Sequence, residues 1–444
     1  MDKENQQTTN KYFSESVRTR RVFRNLVLHI HPVQVRKVSL EYTHTWGLGG
    51  MLVILFLLQA FTGIILRFVY EPSPEKAYDS ILAIQQTVIF GQFVRNIHHL
   101  SGMLMVVIAF FHMLRTFFTE AFRPPRKGNW IIGVILMLLI VLSNFSGYLL
   151  PWDQLSYWAV TVATSMFHYI PFIGEWLVEM IRGGSEVGAV TLLNFFNFHT
   201  AILPLSIVIL MAFHFWKVRK AGGVVVPSGK MNKDKEYVST IPNLVAREFV
   251  VALMLIAFIV FISAVWNAPL LERANPALSP NPAKAPWYFL GIQELLMHFH
   301  PFFAAFVIPS IFLLALFWLP YQEFEEDRAG FWFASERGKS LCKRTSIVTL
   351  ITIPLLVLAN EYIPDLIESA SGIWAIVGSG FIPFVILLSG LLGWVWWLKK
   401  KGNYSKNEIV QGMFVLWITS YLVLMFIAIW FRGEGMELCW PWQR

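Results

Sequence analysis

Four of the eleven histidines lie deep in apolar sequence, at spacings that suit metal chemistry. His98 and His112 share one stretch and stand 14 residues apart, while His199 and His214 share another and stand 15 apart. At 3.6 residues per turn each pair returns to roughly one helix face after about four turns, ~21–23 Å along the axis. If both stretches cross a membrane in the same direction, His98 is level with His199 and His112 with His214. A single intramembrane histidine is usually a hydrogen-bonded packing residue or a proton relay. Four at matched depths ask for a different partner, and a metal held between two neutral imidazoles supplies it. Haem iron is the usual case. With both axial positions filled, it passes electrons and cannot bind oxygen. His98, His199, His112 and His214 are therefore the expected metal ligands of two non-covalent, bis-histidine b-type haems.

Glycines repeat the step. Gly49 and Gly63 are 14 residues apart, and so are Gly133 and Gly147. A flat macrocycle between helices needs backbone without a Cβ at its edge. Glycine also serves close helix packing, but the shared step favours clearance for haem. Arg95 and Arg115 each lie three residues from a ligand of the first pair. They are placed to neutralise haem propionates, or else to snorkel toward the interface.

The elements that carry these residues follow from composition. Of 444 residues 56% are hydrophobic and 14% charged, and mean hydropathy is +0.54. A soluble domain needs about 25% charged residues, and disorder is incompatible with this apolar content. An all-α, polytopic membrane helix bundle with a dihaem four-helix core is expected. Spans of about 20 apolar residues occur nine times, near 46–68, 92–116, 130–150, 197–218, 247–266, 302–320, 344–360, 373–398 and 409–431.

Net charge is +8. With nine spans, every basic segment falls on one side: the N-terminal segment 1–45 and the second, fourth, sixth and eighth connections. That side is expected to be cytoplasmic, with the C-terminus outside and no nucleic-acid partner. The first 25 residues are polar and charged, so no cleavable signal peptide is expected. Cys342 and Cys439 form no CxxC, which leaves no c-type haem attachment and no iron–sulfur cluster on this chain. The polar stretch 221–245 separates a dihaem unit (46–220) from a second unit (246–362), followed by two further helices (363–444).

Residues 44–220 carry LGGMLVILFLLQAFTG, VRNIHHLSGMLMVVIAFFHMLR, GYLLPWDQLSYWAV and NFHTAILPL, running through HFWKVRK. In these the chain resembles cytochrome b of the quinol:cytochrome c (bc-type) and plastoquinol:plastocyanin (bf-type) complexes. The second half matches more weakly, through ANP at 274–276 and APWYF at 285–289. The last two helices have no clear counterpart. The 15-residue step resembles the bf type, whereas fusion of both halves resembles the bc type, which suggests a bacterial intermediate form in the inner membrane.

The resemblance implies a quinol:cytochrome c oxidoreductase subunit, respiratory or photosynthetic, with its haems at His98/His199 (outer) and His112/His214 (inner). Quinol, menaquinol being the expected form, would be oxidised at an outer site. One electron would go to a Rieske iron–sulfur protein and the other through both haems to quinone at an inner site, coupled to proton translocation. A cytochrome c-type subunit, membrane lipid and a homodimeric complex are the other implied partners. Gly47 stands where the bf type has the cysteine of a third haem.

The family's outer pocket uses the end of the third helix, the following loop and a PEWY motif. Here these are Tyr148 through Pro151-Trp152-Asp153-Gln154, and Ala285-Pro286-Trp287-Tyr288. Pro286 replaces the glutamate usually given as proton acceptor. Glu294, about two turns further on, and Asp153 are the alternatives, with His298 and His300 as weaker relays. At the inner pocket Arg219 stands where the family has a quinone-contacting basic residue, and Glu248 lies near its inner carboxylate. Two other functions stay open on the residues alone: a dihaem membrane anchor of another dehydrogenase, and a haem-free transporter.

Overall fold

The computed structural model describes residues 30–227, 236–324, 328–362 and 373–443. Among them, nine helices are long and apolar enough to cross a membrane. They are α1 (Leu48–Arg67), α2 (Gly91–Phe118), α3 (Lys127–Tyr148), α4 (Ala189–Lys220), α5 (Thr240–Val265), α6 (Phe302–Tyr321), α7 (Glu336–Tyr362), α8 (Val377–Lys400) and α9 (Lys406–Trp430). The all-α membrane bundle read from hydropathy is what forms, because a helix satisfies its own backbone where water is absent. The fourth helix begins earlier than the apolar run. Gly188 donates its amide to the Thr191 hydroxyl at 3.1 Å, which starts the helix before the hydropathy rises. The two strands described are short: β1 (Gln34–Arg36) pairs antiparallel with β2 (Tyr237–Ser239), Val35 opposite Val238. They tie the segment before α1 to the start of α5. Residues 1–29 and 228–235, which hold much of the expected basic charge, lie outside the described residues.

Side chains from α1 to α5 meet in one cluster that includes Leu55, Met105, Ile140, Ile207 and Ile259. A second cluster joins α2 and α3 to α6 and α9 through Phe117, Val134, Leu316 and Phe414. The rings of Phe117 and Phe414 stack at 3.6 Å. The two helices expected to be additions therefore differ. In α8 only 6% of the apolar window is buried, against 33% in α9, which equals the value for α2. The last helix is part of the core, and α8 lies at the edge.

Loop contacts fall into two sets. At one end Arg126 donates to the carbonyls of Ala221 (2.9 Å) and Gly223 (3.0 Å), and Asn407 donates to Glu120 (3.1 Å). At the other end Tyr78 donates to the Leu271 carbonyl (2.9 Å), while Gln154 N bonds Glu272 O (2.8 Å) and His300 N bonds Ser379 O (2.9 Å). Successive connections alternate between ends, as the segregation of basic loops requires.

Candidate functional site

The four histidines come together in two cross-helix pairs. The ring centroids of His98 (α2) and His199 (α4) are 6.1 Å apart with planes at 78°. Those of His112 and His214 are 6.4 Å apart at 70°. A metal–imidazole bond of about 2 Å on each side, added to ~1.2 Å from ring nitrogen to ring centre, puts the centroids of a linear N–metal–N unit about 6.4 Å apart. Both gaps have that size.

The glycines expected to clear a macrocycle lie against these rings. A methyl placed on Gly63 would sit 3.2 Å from His98 Cε1, and one on Gly147 would sit 2.5 Å from His199 Cε1. Gly49 and Gly133 face His112 and His214 in the same way, at 3.6 and 3.5 Å. Each histidine thus has one glycine, and each pair has one from α1 and one from α3. The donor set suits haem iron as well. His199 Nδ1 lies 2.9 Å from the Ser143 carbonyl, which can only accept, so Nδ1 carries the proton and the Nε2 lone pair stays available. His98 Nδ1 is likewise engaged, 2.9 Å from the Thr62 hydroxyl. The residues fit b-type haem.

The histidine steps on α2 and α4, 14 and 15 residues, are unequal. Phe198–Ile202 of α4 forms a π-turn that contains His199. Its i→i+5 pattern takes up one residue more than a regular turn. Fifteen residues on α4 therefore give the rotation that fourteen give on α2, and the two pairs share one register. A one-residue insertion has no signature in residue type, so only the unequal spacing hinted at it.

A family model described as cytochrome b/b6/petB matches residues 33–222. Cytochrome b6 of Prochlorococcus marinus (strain MIT 9515) is 39% identical over 175 residues, 39% of this chain and 80% of that one. Cytochrome b6 of Heliomicrobium gestii is 39% identical over 192 residues, covering 43% and 88%. The chain belongs to the cytochrome b/b6 family. A chain of a structure described as a hyperthermophilic respiratory Complex III shares the fold of this cytochrome b at TM-score 0.64 and 22% identity. It covers 94% of this chain and 98% of its own, so the shared fold reaches far beyond residue 222. Family membership sets aside the transporter and the dehydrogenase anchor.

In this cytochrome b the residues expected at the quinol pocket gather at the His98 end. The rings of Phe145, near the end of α3, and Phe289 meet edge to face at 5.5 Å. Trp287 and Tyr288 cross at 87°. The Trp287 indole nitrogen and the Tyr288 hydroxyl are buried without a partner among the described residues. Burial, with Tyr148 nearby, pushes the Tyr288 phenol up from its ordinary value.

The two expected proton acceptors are engaged elsewhere. Glu294 lies in a helix, as expected (Leu290–Leu296), but its carboxylate is fully buried. Arg432, just beyond α9, donates to it at 2.8 and 3.0 Å, and His298 Nε2 lies 3.3 Å away. Burial alone would raise this carboxyl. The bonds from His298 and Arg432, with the Arg432 charge, outweigh it and hold the group below the usual carboxylate range. A carboxylate so held is a poor proton acceptor. Asp153 caps the helix Gln154–Ser165, accepting from Ser156 N at 2.9 Å, and its other oxygen accepts from Leu271 N at 3.1 Å. An aspartate just before an apolar run, with a serine three residues on, was a readable cap signal. Asp153→Ala is expected to lower stability by about 1–2 kcal/mol, seen as earlier thermal unfolding with haem content unchanged. An unchanged transition would show that the cap is dispensable.

The remaining expected residues divide. Arg95, read as a propionate partner, instead donates to the carbonyls of Ala268 and Pro269, both at 2.7 Å, and ties α2 to the loop after α5. Arg115 donates to the His44 carbonyl at 3.1 Å and keeps one buried guanidinium nitrogen unpartnered among the described residues. Arg219 lies in the last turn of α4. Glu248, near the start of α5, lies 3.4 Å from His31. Arg432 was missed, since nothing in the sequence joins it to Glu294.

Proposed function

We propose that this chain is the cytochrome b subunit of a quinol oxidoreductase, with cytochrome c as the final acceptor of its complex. The observation that carries this reading is the pair of glycine-flanked histidine contacts at two depths. His98 and His199 would hold one haem and His112 and His214 the other. Bound there, the haems supply one-electron carriers closed to oxygen. The chain's own task is to fix the imidazoles. Ser143 and Thr62 orient two of them through Nδ1, and the four glycines leave room at the edges. The unpartnered Arg115 nitrogen suits an inner propionate.

Quinol oxidation fits the pocket between the end of α3 and residues 285–289. The Tyr288 hydroxyl and the Trp287 indole are available to bond a quinol oxygen. With Glu294 and Asp153 engaged, His298 is better placed than His300 to take the proton, because its Nδ1 is buried without a partner among the described residues, whereas His300 Nδ1 accepts from Phe302 N at 3.3 Å. Quinone would bind at the opposite end, near Arg219 and Glu248. A Rieske protein, a cytochrome c-type subunit, menaquinol and a homodimer in a bacterial inner membrane complete the reading. Residues 46–220 form the dihaem unit and 246–362 the quinol-site unit, and the His112 end is cytoplasmic.

A dithionite-reduced minus oxidised spectrum, titrated against potential, is expected to show two b-type haems per chain with separate midpoints. One midpoint, or no haem absorbance in folded protein, would overturn the two-site reading. Pro286→Glu should leave quinol oxidation working, whereas His298→Leu should lower kcat and shift its pH profile with both midpoints unchanged. An unaltered pH profile in the second variant would exclude His298 as the acceptor.

A further inference from the structure

A cavity of about 250 Å³ opens at the His98 end, away from both histidine pairs and from residues 285–289. Gln85, Gln92, Asn96, Ser263 and Asn267 line it, and no charged side chain does. The N-terminus of α2 opens into it, since Phe90, Gly91, Gln92 and Phe93 are all in the wall. That helix is 28 residues long, has no side-chain cap and has no acid in its first turn. Its Gly91 and Val94 amides are bonded to the carbonyls of Val88 and Phe90, both at 2.9 Å. The Gln92 and Phe93 amides have no partner among the described residues. Two free amides at the positive end of a long helix dipole attract an anion.

Ser263 points the same way independently. It is 1% exposed, yet its hydroxyl has no partner among the described residues. A helix serine usually bonds the carbonyl one turn back, as Ser101 does to Ile97 at 2.6 Å. Leaving a buried hydroxyl unpaired is unfavourable unless a ligand completes it. Among the other polar wall residues, Asn96 is fixed. Asn96 accepts from Gln92 (2.6 Å) and from the Ala268 amide (2.9 Å), and donates to the Ser263 carbonyl (2.9 Å) and to Asn267 (3.0 Å). Next to it in sequence, Arg95 is held by the Ala268 and Pro269 carbonyls outside the wall, with the Asp153 carboxylate as a countercharge. Val88, Ile89 and Phe90 at the rim are 38%, 86% and 76% exposed, an apolar lip where the helix enters the bilayer.

We propose that this cavity binds a phosphate group, and that the apolar lip selects it as the headgroup of a membrane phospholipid. Two free amides at a helix N-terminus, with the unpaired Ser263 hydroxyl beside them, suit an oxyanion, while the rim suits acyl chains.

The test uses the intact complex and Gln92→Glu. A carboxylate in the first turn is compatible with the helix dipole but repels an anion at the mouth. Both proteins are placed in nanodiscs of phosphatidylcholine with a minor share of phosphatidylglycerol, then stripped with detergent. Retained phospholipid per chain is read by native mass spectrometry, with haem content as the fold control. Wild type is expected to retain lipid, and the variant to lose roughly tenfold in retention, as for one lost charge-assisted contact. In a second arm inorganic phosphate is titrated against the stripped protein. Phosphate binding that depends on Gln92, without lipid retention, would keep the anion site and overturn the lipid assignment. Equal lipid retention by both proteins and no phosphate binding would overturn the proposal. Ser263→Ala, which leaves the helix end intact, should move retention in the same direction by a smaller factor.

Discussion

Gly147→Ala is expected to empty the haem site proposed at His98 and His199 and leave the one proposed at His112 and His214 filled. The added methyl would lie 2.5 Å from His199 Cε1 and 2.9 Å from Nδ1, distances at which something must move. The His199 ring cannot swing away freely, because its Nδ1 is held by the Ser143 carbonyl at 2.9 Å. A displaced ring loses both that bond and its alignment with His98. The inner site is a built-in control, since a methyl on Gly133 meets His214 at an ordinary 3.5 Å. Gly133→Ala should therefore disturb its ring far less. Pyridine haemochrome content per chain, with a redox titration, separates the two. Gly147→Ala should give about half the haem and a single midpoint. Full content with both midpoints in place would show that the outer gap tolerates a side chain and would remove the glycine from the site.

Arg432→Leu is expected to have the largest effect on stability. Arg432 is fully buried and bridges Glu294 to Glu361, whose oxygens it meets at 3.1 and 3.2 Å. Removing it leaves the fully buried Glu294 with only His298 beside it. Breaking a buried pair from one side costs about 3–5 kcal/mol. The double change Arg432→Leu with Glu294→Leu should recover much of that loss, because the fully buried carboxylate is then gone and the remaining one, Glu361, reaches solvent. The pH dependence has a definite sign. Glu294 titrates below its ordinary value in the folded chain, so it binds fewer protons there than when unfolded. Its stabilisation is complete above the ordinary carboxylate range of about 4.3 and is lost as pH falls through the lowered folded value. Thermal unfolding of wild type and Arg432→Leu at neutral and acidic pH reads both effects. Equal unfolding temperatures at neutral pH would refute the bridge as a stabilising element.

The histidine pairs were legible because depth in a membrane is written into the sequence. Apolar runs set the helices, basic loops set their direction, and two steps of nearly equal length then place four side chains at two levels. The glycines followed for the same reason. The π-turn was not legible, since one extra residue in an apolar helix changes geometry without changing composition. The roles of Glu294 and Asp153 were misread for two different reasons. Glu294 is engaged by a residue 138 positions away, and no local pattern announces a pair of that range. Asp153 carried a local cap signal, but its place beside the quinol-pocket motif drew a chemical reading first. The last two helices looked alike as apolar runs. Only packing separates them, with α9 in the core and α8 at the rim.

The position of α9 has a consequence for the order in which the protein can be finished. Tyr421 donates to the Tyr288 carbonyl, its ring lies against Gly291, and Arg432 closes on Glu294. The segment that carries Trp287 and Tyr288 is thus locked by residues of α9 and just beyond it, made well after the four histidines. A ribosome that has released the first eight helices has made every histidine and every glycine of the haem sites, yet has left the quinol-side segment unfastened. Haem insertion can precede that step, but competence toward quinol cannot. A chain cut before Tyr421 would carry the four histidines and their glycines without a finished pocket beside them.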